Sequence, residues 1–180
     1  GFLRRSGYWV HDIIFNGGLV KKQYRDIQEI VENPVLGKER TAKYLKDLLA
    51  HASVTTEFYK TYSGKPISEF PVVNKIDYRA NYDSFVSTTY KGKGLHIQST
   101  SGSTGAPFSV PQNKEKRDRV IAELKLYALY AGHKSHEKLI YLKILTSKTK
   151  KPWLTCFSEN IWRLDCSSLG NNNLESIRQT

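Results

Sequence analysis

The sequence predicts an α/β fold in which a helical amino-terminal region is followed by a mixed sheet with flanking helices. Three observations carry this. Apolar residues between positions 21 and 52 recur at helical spacing. A Gly/Ser/Thr-rich segment near position 100 lies between two short extended runs and leads into another helical pattern. Residues 138–145 then form a dense Leu/Ile/Tyr run of strand length, so strand, helix and strand alternate. Of the 180 residues 39% are hydrophobic and 25% charged, which excludes disordered, collagen-like and disulfide-scaffold classes.

Taken in order, Tyr24, Ile27 and Val31 share one face of a helix beginning near Lys21, and Asn33-Pro34 ends it. Gly37 punctuates the chain, and Thr41 is placed to cap a second helix that turns Leu45, Leu48, Leu49 and Ala52 toward the core. Residues 61–68, with Ser63-Gly64 and Lys65-Pro66, read as a loop, and Phe70-Pro71-Val72-Val73-Asn74-Lys75 as an extended connection. A strand over 95–98 enters the polar segment and a second strand over 107–110 leaves it. A helix from Asn113 follows, with Val120, Ile121, Leu124, Tyr127, Ala128 and Ala131 on its core face and Gly132 at its end. Residues 138–145 make a buried strand, 148–152 a basic turn and 161–164 another strand, while Asn171-Asn172-Asn173 caps a helix from Leu174. No repeat or low-complexity linker divides the chain, so 1–90 reads as a mainly helical opening region and 91–180 as the sheet region of one domain. A sheet that stops after two or three strands looks unfinished. With no methionine and Gly1 in first place, the chain is expected to be a fragment of a longer protein.

Lys and Arg number 28 against 17 Asp and Glu, a net charge of +11. Spread over about 8,900 Å² of folded surface, this is one net charge per roughly 800 Å², while salt screens each charge beyond about 10 Å. Residues 99–150 carry ten bases and four acids. That bias fits a solvated helix face, or a contact with polyphosphate, an anionic substrate or an acidic partner, better than a nucleic-acid interface. No apolar run approaches the roughly 20 residues of a membrane-spanning helix, and no signal peptide is visible. Cys156 and Cys166 can pair only once and have no metal-ligand spacing, pointing to a reducing, cytoplasmic setting.

The chemistry concentrates in Ser99-Thr100-Ser101-Gly102-Ser103-Thr104-Gly105-Ala106-Pro107-Phe108. Glycines reach left-handed dihedrals that let successive amides converge on an anion, and the hydroxyls add donors. Each hydrogen bond to a charged oxygen contributes about 1.5–3 kcal/mol, so a few can hold a triphosphate tail without a lysine. A Walker A loop is excluded, since Gly-Lys-Ser/Thr is missing and a strand follows; a dinucleotide fingerprint fails too. An ordinary polar hairpin turn has the same composition.

Ser101-Gly102-Ser103-Thr104-Gly105-Ala106-Pro107 resembles the phosphate-binding loop of adenylate-forming enzymes, the acyl-CoA synthetase or AMP-binding superfamily. It is closest in kind to the phenylacetate-CoA ligase-like branch, which includes capsular polysaccharide biosynthesis proteins. Gly7-Tyr8-Trp9, Leu48-Leu49-Ala50-His51-Ala52 with Phe58-Tyr59-Lys60, and Phe70-Pro71-Val72-Val73-Asn74-Lys75 match the branch in the same order. The resemblance implies that the chain is the N-terminal, incomplete part of the large domain of a cytoplasmic, bacterial-type ligase. Such an enzyme uses ATP with Mg2+ to convert a carboxylate to an acyl-adenylate, releasing pyrophosphate, and passes the acyl group to CoA or another acceptor. It further implies that Thr100, Ser101, Gly102, Ser103, Thr104 and Gly105 hold the β and γ phosphates by orientation and charge neutralisation. Many members carry Lys or Arg after the proline, where this chain has Phe108; Lys114, Lys116, Arg117 and Arg119 are the nearby cations in sequence. Adenine, ribose and acyl sites and the lid lysine of the family belong to segments that these residues do not include. The fragment is therefore expected to be inactive alone, and no catalytic residue is assigned. The alternatives are a non-catalytic partner-binding descendant of that fold and a basic nucleic-acid-binding module.

His133 and His136 could share a metal at three-residue spacing, but without carboxylates or cysteines beside them they read as exposed turn histidines, and no metal site is assigned. His51 and His96 read as packed, with His96 the nearer to the loop. No Ser, His and Asp set has motif support as a triad. Tyr127, Tyr130 and Tyr141 read as core residues in preference to a substrate pocket.

Overall fold

In the computed structural model, residues 2–100, 108–145 and 150–166 are described. The chain divides into two compact units, Gly1–Tyr24 with Ile121–Thr180, and Arg25–Val120.

The first unit opens with helix α1 (Phe2–Asn16), which the sequence reading lacks, and the start of α2 (Leu19–Glu32). Between them Gly17 and Gly18 take φ of +61° and +71°, dihedrals open to glycine at little cost. Asp12, only 2% exposed, reaches over this turn and accepts hydrogen bonds from the amides of Val20 and Lys21 at 3.3 and 2.9 Å. It thereby serves first-turn N–H groups of α2 that have no partner within the helix, and its charge suits that helix end. Asp12→Ala is expected to lower unfolding stability by about 1–2 kcal/mol, the usual cost of losing such a cap, as read by denaturant titration.

The second unit contains the rest of α2 and α3 (Pro34–Thr55), then α4 (Lys75–Ala80) and α5 (Tyr82–Phe85). Helix α3 begins at Pro34 and not after Thr41. Asn33 caps it by accepting the Leu36 amide at 3.2 Å, and proline at the first helical position loses no hydrogen bond. Asn33-Pro34 thus ends one helix and starts the next. Gly37 does not punctuate the chain; it lies buried inside α3, where a Cβ would collide with the carbonyl oxygen of Ile30. Leu45 and Leu48 are exposed, Leu48 by 61%, so the expected core stripe is not buried. An apolar row names a face, but only a covering element buries it.

The segment expected as a loop over 61–68 overlaps two short 3-10 turns, Lys60–Tyr62 and Ile67–Glu69, on either side of Gly64. Strands β1 (His96–Ser99) and β2 (Ser109–Gln112) pair antiparallel, with His96 opposite Gln112, Ile97 opposite Pro111 and Ser99 opposite Ser109. Helix α6 (Lys114–Tyr130) follows directly. The expected order of strand, strand and helix is therefore present, with the segment between the strands outside the described residues.

Strands β3 (Leu139–Lys143) and β4 (Ile161–Asp165), in the first unit, pair parallel, and α7 (Trp153–Glu159) lies between them in sequence. Asn160, at φ +56°, ends α7 in the left-handed region. All five residues of β3 are exposed, so it is a strand but not a buried one. Among the described residues the four strands form two separate two-stranded sheets in place of a single mixed sheet. The α/β class holds at the level of helices with small sheets. Strand existence is a local property, whereas pairing depends on distant partners that spacing does not name.

The buried row of α6 is Asp118, Ala122 and Leu126, while Ile121, Leu124 and Tyr127 are exposed. The row escaped the apolar pattern because its first member is a carboxylate, which accepts a hydrogen bond from Lys114 Nζ at 2.7 Å. The helix expected from Leu174 lies outside the described residues. Among those described, no helix is long and apolar enough to cross a membrane.

Candidate functional site

Of the six residues expected to hold phosphate, Thr100 is described; Ser101, Gly102, Ser103, Thr104 and Gly105 lie outside the described residues. The base of the loop is built by hydrogen bonds on both flanks. The Thr100 amide donates to the Phe108 carbonyl at 2.9 Å, and the Phe108 amide donates to Thr100 Oγ1 at 3.3 Å. Just below, the hydroxyls of Ser99 and Ser109 meet at 2.7 Å. Thr100 and Phe108 are thereby fixed to each other, and Thr100 Oγ1, an acceptor toward Phe108, keeps its own proton for donation.

Aromatic rings continue from this clamp. The Phe108 ring meets Tyr78 of α4 edge-on at 5.2 Å between centroids; Tyr78 lies 5.2 Å from Phe85, which stacks on Phe58 at 4.0 Å. Tyr59 joins Phe85 and Phe70 at 5.7 Å each. Phe58-Tyr59 and Phe70, distant from the loop in sequence, therefore belong to one ring cluster that ends at the loop's return. Burial raises the phenol pKa of Tyr59, and burial followed by the nearby Tyr82 raises that of Tyr78, so both stay neutral as packing groups.

Phe108 does not leave the loop base without a cation. Lys75 Nζ sits 5.8 Å from the centre of the Phe108 ring, within cation–π range. Lys75 closes the Phe70–Lys75 motif and begins α4, whose Asn74 caps it by accepting the Ile76 and Asp77 amides. The cations nearest in sequence lie instead downstream in α6. There, Lys114 is paired with Asp118 at 2.7 Å and Arg119 with Asp26 at 2.9 Å, which removes both as ready phosphate ligands. Lys116 instead lines a groove beside the hairpin.

Beside the hairpin are a groove of about 530 Å³, lined by Tyr82, Asp83, Tyr90, Lys91, Lys93 and Ile97, and two smaller ones. One, of about 340 Å³, is lined by Tyr78, Arg79, Tyr82, Ile97 and Phe108; the other, of about 300 Å³, by Tyr78, Phe85, Tyr90, Val110, Asn113 and Lys116. Both are near the lower limit for small-molecule sites. Aromatic walls with a few cations beside hydroxyl donors suit a ligand with a flat or apolar part and an anionic tail.

The remaining candidates take other places. His96 is exposed on β1, correcting its expected packing. His51 is half-buried on α3, its Nε2 3.2 Å from Ser87 Oγ and its ring 6.2 Å from Tyr90. Tyr90 Oη accepts Asn113 Nδ2 at 2.9 Å, and Asn113 Oδ1 accepts the Lys116 amide at 2.8 Å, so this chain of contacts settles the start of α6. Tyr127, Tyr130 and Tyr141 are exposed and not core. His133 and His136 are half-buried, and His136 packs on Tyr8 at 5.2 Å, so neither is a fully exposed turn residue. Among the described residues no group of His, Cys, Asp or Glu could hold a metal ion, and Cys156 and Cys166 are free thiols.

No protein-family model, no curated protein and no solved structure matches this chain.

Proposed function

We propose that the chain is the N-terminal part of the large domain of an adenylate-forming ligase. In this reading ATP, accompanied by Mg2+ on its own phosphates, activates a carboxylate as acyl-adenylate with release of pyrophosphate, and CoA or another acceptor then takes the acyl group. A place in bacterial surface polysaccharide synthesis, in the cytoplasm, follows from the branch that the motifs resemble. The observation that carries the reading is the pairing of Thr100 with Phe108 at the ends of two antiparallel strands directly before α6, the two residues that flank the Ser-Gly-Ser-Thr-Gly-Ala-Pro sequence. The approach of Lys75 to Phe108 adds support, because it supplies at the loop base the charge that the residue after the proline lacks.

In this mechanism Thr100 and the hydroxyls and amides of 101–105 orient the β and γ phosphates, Lys75 offsets their charge, and the aromatic grooves take the less polar part of a substrate. Magnesium supplies further charge neutralisation when bound with ATP. The test is ATP–pyrophosphate exchange by the full-length protein across a panel of carboxylates, with ATP binding measured in parallel by calorimetry. Exchange with one carboxylate class and weaker ATP binding in Lys75→Ala, by about tenfold for one lost charge-assisted contact, are the expected results. No ATP binding and no exchange would overturn the reading; binding without exchange would select a non-catalytic descendant. A steep loss of oligonucleotide affinity with salt, with no ATP binding, would select the basic nucleic-acid module.

A further inference from the structure

Away from the loop, the first unit gathers three groups whose chemistry the reading above does not use. Lys125 of α6 directs Nζ to Ser135 Oγ at 2.8 Å, and the same oxygen lies 3.0 Å from His136 Nδ1. A serine hydroxyl between an amine and an imidazole has two potential proton acceptors, the arrangement that turns a weak nucleophile into a strong one. Its members are held from several sides. The Tyr8 ring lies 3.9 Å below Lys125 Nζ and 5.2 Å from the His136 ring. Asn160 donates from Nδ2 to the His136 carbonyl at 3.1 Å and accepts the Leu139 amide at 3.0 Å, tying the segment to the start of β3. His136 itself adopts φ +67°, a left-handed conformation uncommon for a residue with a Cβ and one that concentrates at functional sites.

We propose that Ser135 is a nucleophile for activated acyl esters, with Lys125 as its general base and His136 as the positioning residue that orients the hydroxyl. In the first step Ser135 Oγ bonds to the acyl carbon while its proton passes to the neutral Lys125 amine. The carbon–leaving-group bond then breaks, and the departing oxygen takes the proton from the Lys125 ammonium. In the second step water attacks the acyl-serine as the amine removes its proton; the acyl–Oγ bond breaks, Ser135 recovers a proton, and a carboxylic acid is released.

The amine is suited to this at mildly alkaline pH. Burial brings Lys125 down to about 8, against the opposing pull of the Glu159 carboxylate. Burial, followed by the Lys125 charge, also lowers the His136 pKa, with the Arg4 charge adding to it and the Ser135 backbone and Glu159 opposing. Among the described residues, these groups and Tyr8 face the amine and its neighbour. The lowered base is free to accept a proton once pH rises through about 8, so activity appears as pH increases.

The experiment uses the full chain with 4-nitrophenyl acetate and, separately, a fluorophosphonate probe, with peptide mass spectrometry to locate the adduct. The expected result is an adduct on Ser135 in the unaltered protein, which needs no variant to observe. Turnover above the buffer rate should increase about tenfold from pH 7 to pH 9, as a base titrating near 8 demands. Ser135→Ala and Lys125→Met should each lower that rate by about 100-fold, the low end for a lost nucleophile or base. His136→Asn should lower the rate while leaving the pH midpoint in place. An adduct confined to Lys125 or to another residue, or a Ser135→Ala rate equal to the parent, would overturn the proposal. None of these residues belongs to the hairpin, so failure here is separate from failure of ATP binding.

Discussion

Replacing Asp26 by alanine should cost the second unit about 3 kcal/mol, because three hydrogen bonds, two of them from guanidinium groups, lose their acceptor together. Oδ1 accepts from Arg40 at 2.8 Å and from Tyr44 Oη at 2.7 Å, and Oδ2 accepts from Arg119 at 2.9 Å. The carboxylate thus joins α2, α3 and α6. Arg40 also pairs with Glu29 at 2.7 Å, and the Arg119 guanidinium lies over the Tyr44 ring at 5.6 Å, so loss of Asp26 leaves two clustered cations. Burial alone would raise the Asp26 pKa, but the bonds from Arg119, Tyr44 and Arg40 outweigh it and hold the group below its ordinary 3.8. A carboxyl depressed in the folded state stabilises fully above its unfolded value and loses that contribution as pH falls through the folded one. Guanidinium-chloride titrations at pH 7 and stepwise below pH 4 check this: the advantage of the parent over Asp26→Asn should be constant near neutrality and shrink with acid. A gap that stays unchanged down to pH 2 would mean that the charge of Asp26 is not what binds the helices.

Gly37→Ala should destabilise by about 3 kcal/mol, through steric overlap and not through lost dihedral freedom. The new methyl would meet the carbonyl of Ile30, part of the backbone of α2, so no side chain can rotate out of its way. Relief requires α2 and α3 to part, and the Asp26–Arg40 bond resists that parting. A melting temperature within a degree of the parent would show that the two helices can separate freely.

Helix ends were legible where a breaker follows an apolar row, as at Asn33-Pro34 and Gly132, but the start of α3 at Pro34 was not, because the same Asn-Pro pair that ends α2 also caps the next helix. The β1, β2 and α6 order was legible as well, because short extended runs on either side of a Gly/Ser/Thr-rich sequence, followed by a helical pattern, mark it locally. Burial was not. Leu48 and Leu124 have the spacing of core residues and stand in the open, while Asp118 is buried beside Ala122 and Leu126. Helical spacing ranks faces by hydropathy, and a salt-bridged carboxylate can be covered as readily as a leucine once Lys114 has reached it. At the candidate site, Thr100 was expected from the motif, but Lys75 needed the fold, since twenty-five residues separate it from Thr100 in sequence. Ser135 and Lys125 had no signal at all: a serine ten positions from a lysine acquires meaning only when a turn brings them together.

Pro111 gives the antiparallel hairpin a direction. Thr100 and Phe108 exchange bonds inward, so every second pair along the ladder does likewise, and the Ile97–Pro111 pair points its backbone groups outward. Proline has no amide hydrogen to offer there. The outer rim of β2 therefore lacks a donor midway along its length and repels an incoming chain, while Ile97 and Ser99 leave the opposite rim with its full set. A third strand extends this sheet more readily alongside β1, which makes growth one-sided.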